Sequence, residues 1–465
     1  MASSPPIPES LWAELSPAAQ AAVLTLVSTF EARIAALEAR LNQNSSNSSI
    51  PPSANPPHAK PAPPKTPSGR PKGGQVGHPK AERVLLPPDI IVPLKPTRCR
   101  CCRHRLGGDD PEPLVHQVHE IPQIRPHVTE YRRHRLQCPE CGTLTTAELP
   151  VEVDGGFGPR TQAVVALLGG SCRLGKRAIS QVLADVCGMS ISPAAVCALE
   201  RKTAAALEPI AAEALTYTRS QPANVDETGW MEGVDRAWLW VAVTSLVTAF
   251  LIRLTRGRAA YDDLAGGSSS IKTTDRYGVY THLPADQRQV CWAHLRRDFQ
   301  AMIDRNNAGS KVGEELLIHA DILFDQWNRV RDGTLTRRGF WSHYGSYLQA
   351  EVRALLDLGT KCGCLKTAGV CREILAVEAS LWTFARVDGV EPTNNAAERA
   401  LRHAVCWRKT SYRTDSEAGS RFVERILTVI ASCRQQKRNV LSFLCDAVLA
   451  ARAGTKPPSL LPQGA

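Results

Sequence analysis

Three acidic residues stand in sequence contexts that could bring divalent cations to a phosphate: Asp226, Asp275 and Glu398. Asp226 lies in Asn-Val-Asp-Glu-Thr, Asp275 follows Ile-Lys-Thr-Thr, and Glu398 lies in Asn-Asn-Ala-Ala-Glu-Arg. Carboxylate oxygens are the hard ligands that Mg²⁺ and Mn²⁺ prefer. Two such ions can activate a water or a 3′-hydroxyl and stabilise the leaving oxygen of a displacement at phosphorus. The three acids therefore predict a two-metal phosphoryl-transfer site.

Each of these acids also has an ordinary structural explanation. Asp226 could cap a turn, Asp275 could bond to its own backbone, and Glu398 could pair with Arg402 one helical turn later. The chain contains 45 acidic residues, so their order in the predicted fold has to decide. Five nearby acids suit the geometry less well, because they are predicted on hairpin or helix surfaces: Glu227, Asp262, Asp263, Asp286 and Asp298.

The stretch around Glu398 is strongly cationic. From Asn394 to Arg438 there are ten Lys or Arg against four Asp or Glu. The basic residues nearest to the acid could hold phosphates or form a salt-bridged helix face; they are Arg399, Arg402, Arg408 and Lys409. His294 could act as a general base, but Tyr280, Trp292 and His294 are predicted chiefly to pack under the site.

The elements around the first two acids are predicted to form a mixed α/β fold. A strand through 224–230 is followed by strands over Ala237–Thr244 and Thr248–Leu254, a helix over Arg258–Leu264, and a strand over 271–275. Three antiparallel strands, a helix and a fourth strand is the order of an RNase H-like core. In that order both aspartates are predicted at strand ends, and a later helix supplies the third acid.

Two Cys-x-x-Cys pairs, separated by 35 residues, lie upstream of this core. This spacing lets both thiolates of a pair reach one tetrahedral ion from a tight turn. The predicted ligands of a structural Zn²⁺ are Cys99, Cys102, Cys138 and Cys141. Cys101, His104 or His134 could replace one of these ligands. The surrounding arginines indicate that this cysteine-rich region, a predicted zinc ribbon, also touches DNA.

Residues 176–206 are typical of a helix-turn-helix. Ile179, Val182, Leu183 and Val186 form one apolar stripe, and Gly188 ends the first helix. Ser192 then serves as the N-cap of a second helix, with Pro193 in its first position. Such a pair can place its second helix in the major groove, and Lys176 and Arg177 add positive charge. A plain helical hairpin is the alternative.

The N-terminal segments predict a helix and a linker. The helix is predicted over 11–43. Its apolar residues follow the a/d spacing of a coiled coil; they are Val23, Val27, Phe30, Ile34, Leu37 and Leu41. This helix could pair with a second copy or pack on its own chain. The linker is rich in proline and carries five Lys or Arg without an acid over 51–80. Within it, the stretch 68–74 looks like an AT-hook, in which Arg70 would enter a narrow minor groove.

The overall composition favours a globular protein with a polyanionic partner. The net charge of the 465-residue chain is +11, which favours nucleic acid or an anionic membrane. The apolar run 237–252 is too short to span a bilayer and is interpreted as two strands. Fifteen cysteines without a regular framework, and the lack of a secretory signal at the N-terminus, predict a reducing cytoplasm. DNA is therefore the predicted partner, with no membrane.

The motifs around these residues resemble the DDE transposases of the insertion sequence 66 family. The resemblance rests on Val-Asp-Glu-Thr (225–228), Asp-Arg-Tyr-Gly-Val-Tyr (275–280), Cys-Trp-Ala-His-Leu-Arg-Arg-Asp-Phe (291–299) and Asn-Asn-Ala-Ala-Glu-Arg-Ala-Leu-Arg (394–402), in the family's order. It implies that Asp226, Asp275 and Glu398 are catalytic, and that a helical insertion covers about 300–390. Arg276, where many relatives have Gly, and the additional thiol Cys101 depart from the pattern.

The prediction is a prokaryotic, nucleoid-associated transposase with two Mg²⁺ (or Mn²⁺) ions and a structural Zn²⁺. Its partners are double-stranded DNA, as inverted-repeat ends and as target, a further copy of the chain, and small accessory proteins of the same element. A zinc-dependent DNA-binding protein without nuclease activity is the alternative. The predicted domains are 1–43 (coiled coil), 44–82 (linker), 83–150 (zinc ribbon), 151–215 (helix-turn-helix), 216–299 (first part of the core), 300–390 (helical insertion) and 391–465 (last part of the core).

Overall fold

A computed structural model describes residues 8–44, 48–50, 83–411 and 413–461. The N-terminal part contains two helices, α1 (Glu9–Glu14) and α2 (Pro17–Leu41). The predicted coiled-coil seam on α2 faces solvent, since Phe30, Ile34, Leu37 and Leu41 are each at least half exposed. The described part of the chain therefore does not bury this seam.

Helix α2 also bears on the membrane prediction. Over Pro17–Ala39 it is long and apolar enough to cross a bilayer by length and composition, and none of that window is buried. The sequence prediction considered only the run 237–252, which the structure divides between two strands as expected. The basic linker, including Arg70, lies outside the described residues.

The cysteine-rich region 83–150 has little regular structure. A short hairpin joins β1 (Arg135–Gln137) to β2 (Leu144–Thr146), and Arg98 forms an isolated bridge with Arg105. We expected a region richer in strands. No residue from 83 to 150 is buried, so this region has no apolar core of its own.

Three helices precede the main sheet: α3 (Pro159–Gly170), α4 (Lys176–Cys187) and α5 (Pro193–Ser220). The predicted end of α4 and the predicted start of α5 are confirmed. Gly188 ends α4 in the left-handed conformation with φ 61°, and the Ser192 hydroxyl accepts the Ala195 N–H to cap α5. The predicted stripe is wrong at Val186, which is 53% exposed, because only Ile179 and Leu183 reach the core.

Helix α5 belongs to the core as much as to the helical region before it. Leu207, Ile210 and Ala214 of α5 pack in one cluster with Leu239 and Val241, which belong to the following sheet. The predicted domain boundary at 215 therefore falls inside a continuous helix. Helix α5 therefore packs both on the neighbouring helices and on the sheet that follows it.

The central sheet has five strands within residues 223–290. These are β3 (Ala223–Glu232), β4 (Asp235–Val243), β5 (Thr248–Arg253), β6 (Lys272–Thr274) and β7 (Arg288–Val290), with α6 (Arg258–Ala265) after β5. The order across the sheet is β5-β4-β3-β6-β7. Strands β3, β4 and β5 are antiparallel, whereas β6 and β7 run parallel to β3. The predicted order of strands and helix is confirmed.

A helical segment follows the sheet and has its own apolar core, which includes Trp292, Phe299, Trp327 and Trp382. Trp292 and Phe299 lie on the first helix of this segment, so the predicted insertion shares its core with that helix and with Val290 of β7. The helices are α7 (Trp292–Asp304), α8 (Ser310–Arg331), α9 (Arg337–Phe340), α10 (Ser346–Thr360), α11 (Leu365–Leu375) and α12 (Thr383–Arg386).

Three C-terminal helices complete the chain: α13 (Asn395–Ser411), α14 (Glu417–Gln435) and α15 (Val440–Ala453). Helix α14 lies along the edge strand β5. The N–H groups of Thr248, Phe250 and Ile252 donate to side-chain oxygens of α14 that are spaced four residues apart, on Ser432, Thr428 and Glu424. Four helical residues rise about 6 Å and two strand residues about 6.8 Å, so the two spacings match.

Replacing Thr428 with valine should therefore destabilise the protein. Valine keeps the shape but leaves the buried N–H of Phe250, now 3.0 Å from the Thr428 hydroxyl, without its partner. We expect a loss of about 1–3 kcal/mol in the free energy of unfolding, measured by urea denaturation. Thr216→Val is the control, because that exposed hydroxyl bonds only to its own helix. Equal stability of the two variants would contradict this account of the edge.

Candidate active site at the junction of β3, β6 and α13

The parallel register of β3 and β6 brings the two aspartates together. Ala223 pairs with Lys272 and Asn224 with Thr273. The same register, extended by two residues, sets Asp226 beside Asp275. Register partners on neighbouring strands point to the same face, and the strands are roughly 4.8 Å apart. Asp275 follows the strand end as predicted, but the strand-end prediction for Asp226 is wrong, since Asp226 is the fourth residue of a ten-residue strand.

The chain returns Glu398 to the same place through contacts at the start of α13. The Asn394 side chain is fully buried and donates to the Val225 carbonyl at 3.0 Å, next to Asp226. The Asn394 N–H donates to the Cys291 sulfur at 3.2 Å, and the Trp292 N–H donates to the Pro392 carbonyl at 2.9 Å. The start of α13 is thereby fixed between β3 and α7.

The electrostatics of Asp226 reflect this convergence. Burial raises the pKa of Asp226 well above its ordinary value of 3.8, and the charges of Glu227, Asp275 and Glu398 raise it further. Among the described residues, its carboxylate accepts the N–H of Glu227 alone, at 2.9 Å. Asp226 therefore lies among other acids, and within the described residues it has no ion pair of its own.

Asp275 is held on both its backbone and its side chain. The carboxylate accepts the Tyr277 N–H at 2.9 Å, and the backbone carbonyl accepts the buried guanidinium of Arg288 at 2.8 Å. Arg288 also donates to the Thr274 hydroxyl at 3.1 Å. Sequence reasoning missed Arg288, because nothing in its local sequence marks a buried arginine.

Helix α7 supplies the groups nearest to Glu398. His294 Nε2 and Arg297 Nη2 each lie 3.5 Å from Glu398 Oε1. Burial lowers the pKa of His294, and the charge of Arg297 lowers it further. His294 is therefore neutral near pH 7, and its buried Nδ1 has no partner in the described part of the chain. Its predicted role as a general base stays a prediction.

Glu227, the nearest rival, faces the other side of the sheet. It is buried and accepts the guanidinium of Arg256 at 2.6 Å and the hydroxyl of Tyr280 at 2.5 Å. Arg256 in turn stacks on the Tyr277 ring, 3.8 Å from its centroid. Among the other rivals, Asp286 is exposed and three are in ion pairs: Asp262 with Arg258, Asp263 with Arg253, and Asp298 with Arg276.

The basic residues predicted to hold DNA fall into two groups. Arg408 donates to the Thr228 hydroxyl at 3.0 Å and to the Gly229 carbonyl, and Lys176 pairs with the buried carboxylate of Glu200, so both have structural partners. The remaining described members are exposed and present their charge to solvent: Arg177, Arg399, Arg402 and Lys409.

The two cysteine pairs adopt the same turn. In each, the first cysteine N–H donates to the carbonyl five residues later, of His104 in one turn and Thr143 in the other. The fifth residue of each turn, Arg103 or Gly142, has a positive φ, of 63° or 73°. Cys99 and Cys102 therefore match Cys138 and Cys141, whereas Cys101 matches Glu140. Bonds from Thr143 lower the pKa of Cys141 to about 7.

Neither the three acids nor the four cysteines surround a position for a metal ion in this structure. In the described residues no three His, Cys, Asp or Glu side chains lie close enough together to hold a metal ion. The three acids interact electrostatically, and the two cysteine turns share one backbone geometry.

A mixed α/β protein with an acidic site beside a helical insertion is the class that this fold and site define. The family model described as Transposase IS66 family matches residues 155–421, which include Asp226, Asp275 and Glu398. The chain belongs to this family.

Two further similarities accompany this match. A second family model, of unknown function (DUF6444), matches residues 6–84. The "Uncharacterized protein y4qI" of Sinorhizobium fredii is 26% identical over 236 residues, which cover 46% of this chain and 43% of that protein. The chain thus spans less than half the length of this relative.

Proposed function

We propose that this protein is a DNA transposase that cuts and joins the ends of its own element through Asp226, Asp275 and Glu398. The observation that carries the proposal is the convergence of three acids that are far apart in sequence, two by strand register and one by the buried Asn394 contact. The sheet order β5-β4-β3-β6-β7 supports an RNase H-like core, as the motif order predicted.

The donor set fits two Mg²⁺ or Mn²⁺ ions. All three side chains are carboxylates, and Asp226 lies close enough to Asp275 and Glu398 for their charges to act on it. When bound, the ions would supply Lewis acidity at the scissile phosphate and a nucleophile at neutral pH. Asp226, Asp275 and Glu398 would hold them in place, and the exposed Arg399, Arg402 and Lys409 would bind phosphates beside Glu398.

We further propose that Cys99, Cys102, Cys138 and Cys141 bind a structural Zn²⁺. The shared turn geometry favours these four over Cys101. A zinc ribbon would stabilise residues 83–150, which bury no residue of their own. Four thiolates leave no open coordination position, so this ion would have no catalytic role.

DNA binding would then be shared by several parts of the chain. Helices α4 and α5, with Arg177 exposed, would act as a helix-turn-helix, and the linker with Arg70 would add phosphate contacts. The exposed seam of α2 would pair with a second copy, since joining two DNA ends requires at least two chains. Small accessory proteins from the same element remain part of this proposal.

The test of this function is a nicking assay on DNA from the two ends of the element. We expect the wild-type protein to cut the element ends in Mg²⁺ and not in EDTA. Binding of those ends without cutting would instead favour the alternative, a zinc-dependent DNA-binding protein without nuclease activity.

Replacing Asn394 with alanine should slow the reaction without weakening DNA binding. The variant loses the bond to the Val225 carbonyl that positions the start of α13 and hence Glu398. Outer partners of metal ligands commonly contribute about 10- to 100-fold, so we expect a loss of that size in kcat at saturating DNA.

Asn395→Ala is the matched control for this prediction, because Asn395 is the exposed neighbour in the same motif. Its nicking rate should equal that of the wild type. If the Asn394 and Asn395 variants lose activity equally, the proposed positioning of α13 is wrong.

A further inference from the structure

Arg276 directly follows Asp275 and joins two helices to the end of β6. Its side chain is only 16% exposed. Nε and Nη2 donate to Asp298 of α7 at 3.0 and 2.8 Å, and Nη1 donates to Glu373 of α11 at 3.0 Å. One guanidinium therefore bonds two carboxylates from different helices, a geometry for which the planar fork of arginine is suited.

Helix α7 connects this arrangement to the third acid. His294, Arg297 and Asp298 are spaced i, i+3 and i+4, so they lie on one face of α7. The first two contact Glu398, and the third contacts Arg276. The same helical face thus touches the residue after the second acid and the third acid itself.

The segment that carries Asp275 has few other constraints from the sheet. Strand β6 is three residues long and ends at Thr274, one residue before the acid. Beyond that point, Asp275 is held by the Tyr277 N–H and by Arg288. Both of these residues precede the helical insertion in the sequence. Arg276 provides the link from this segment to α11, which belongs to the helical insertion.

We propose that Arg276 is a positioning residue for Asp275, through which the helical insertion sets the geometry of the metal site. The proposal rests on the two-metal function proposed above. It gives the insertion a specific task, since removal of the Arg276 link would leave all three acids present but Asp275 less firmly placed. The effect should appear first as weaker binding of Mg²⁺.

The first experiment measures the Mg²⁺ concentration for half-maximal nicking. For Arg276→Ala we expect it to rise about 10- to 100-fold, the size typical of partners that orient metal ligands, while KM for DNA stays unchanged. Arg276→Lys should fall between, because one ammonium cannot reproduce both arms of the fork. The control is Arg331→Ala, which removes the ion pair of this insertion residue with Glu391 and should leave the Mg²⁺ dependence unchanged.

The second experiment follows hydrogen exchange in the metal-bound protein and does not need activity. In the wild type, Mg²⁺ should slow amide exchange in α11 as well as around β3 and β6. In Glu373→Ala, which removes a 68% exposed side chain and leaves the Asp298 pair intact, the slowing should remain around the strands and be lost in α11.

These outcomes separate the positioning role from the proposed function. If the wild type neither nicks DNA nor shows slowed exchange with Mg²⁺, the two-metal function fails. If the wild type does both, but Arg276→Ala keeps the wild-type Mg²⁺ dependence or Glu373→Ala keeps the protection of α11, then Arg276 does not position Asp275.

Discussion

Asp226→Asn is expected to abolish Mg²⁺-dependent nicking while leaving binding to the element ends intact. The amide is a poorer cation ligand than the carboxylate and has no charge, so at least one of the two ions should be lost. Since metal catalysis is worth several kcal/mol, the rate should fall by about a thousandfold or more. Gel-shift and nicking assays on one DNA substrate would measure binding and cutting separately.

The same substitution should stabilise the metal-free protein. In the folded state the pKa of Asp226 is raised well above 3.8, chiefly by burial. The folded protein therefore binds a proton more tightly than the unfolded chain does, and its stability falls as pH rises from about 4 through the raised pKa. In EDTA at pH 8, Tm should be higher for Asp226→Asn than for the wild type, and Mg²⁺ should raise Tm only for the wild type.

Asp262→Asn is the matched control, because Asp262 is a half-exposed acid of α6 that pairs with Arg258. It should nick DNA and respond to Mg²⁺ as the wild type does. Loss of activity in both variants, or wild-type activity in Asp226→Asn, would contradict the assignment of Asp226.

Cys138→Ser is expected to lose the structural zinc, about one ion per chain, and with it the order of residues 83–150. No residue in that region is buried, and Ile90, Leu94 and Leu114 are almost fully exposed. Zinc binding in small modules supplies about 10 kcal/mol or more, which here would replace the missing core. Metal analysis and limited proteolysis of the full chain would measure the two effects.

Cys101→Ser should keep the zinc and the protease resistance of the wild type. Cys101 occupies the position that Glu140 holds in the matching turn, so its thiol should be dispensable. Equal zinc loss in the Cys101 and Cys138 variants would show that the two turns do not contribute equivalent ligands. An unchanged zinc content in Cys138→Ser would exclude the proposed site.

The sequence predicted the order of strands well, because alternation and turn residues act locally. Asp275 was placed correctly, since the polar residues after Thr274 end a very short strand. Asp226 was not, because β3 continues through Gly229 to Glu232, where cross-strand pairing with β4 overrides the polar local sequence. Asp226 and Asp275 lie on one face of the sheet because of the register between β3 and β6. No single segment of the sequence reveals that register.

The return of Glu398 could not be derived from the sequence alone. It depends on buried contacts of Asn394 with Val225 and Cys291, across 169 and 103 residues of chain. The available signal was the polar pair before the acid in Asn-Asn-Ala-Ala-Glu. The sequence likewise did not reveal the partner of Lys176, which was predicted to bind DNA. That partner, Glu200, lies on the next helix and is buried.

The most direct test of the central claim is to map the metal site with Fe²⁺. Iron bound in place of Mg²⁺, with ascorbate and peroxide, generates hydroxyl radicals that cut the backbone beside the ion. We expect cuts near residues 226, 275 and 398 together, suppressed by excess Mg²⁺ and lost in Asp226→Asn. Cuts confined to one of these segments, or cuts elsewhere in the chain, would contradict a single site built from the three acids.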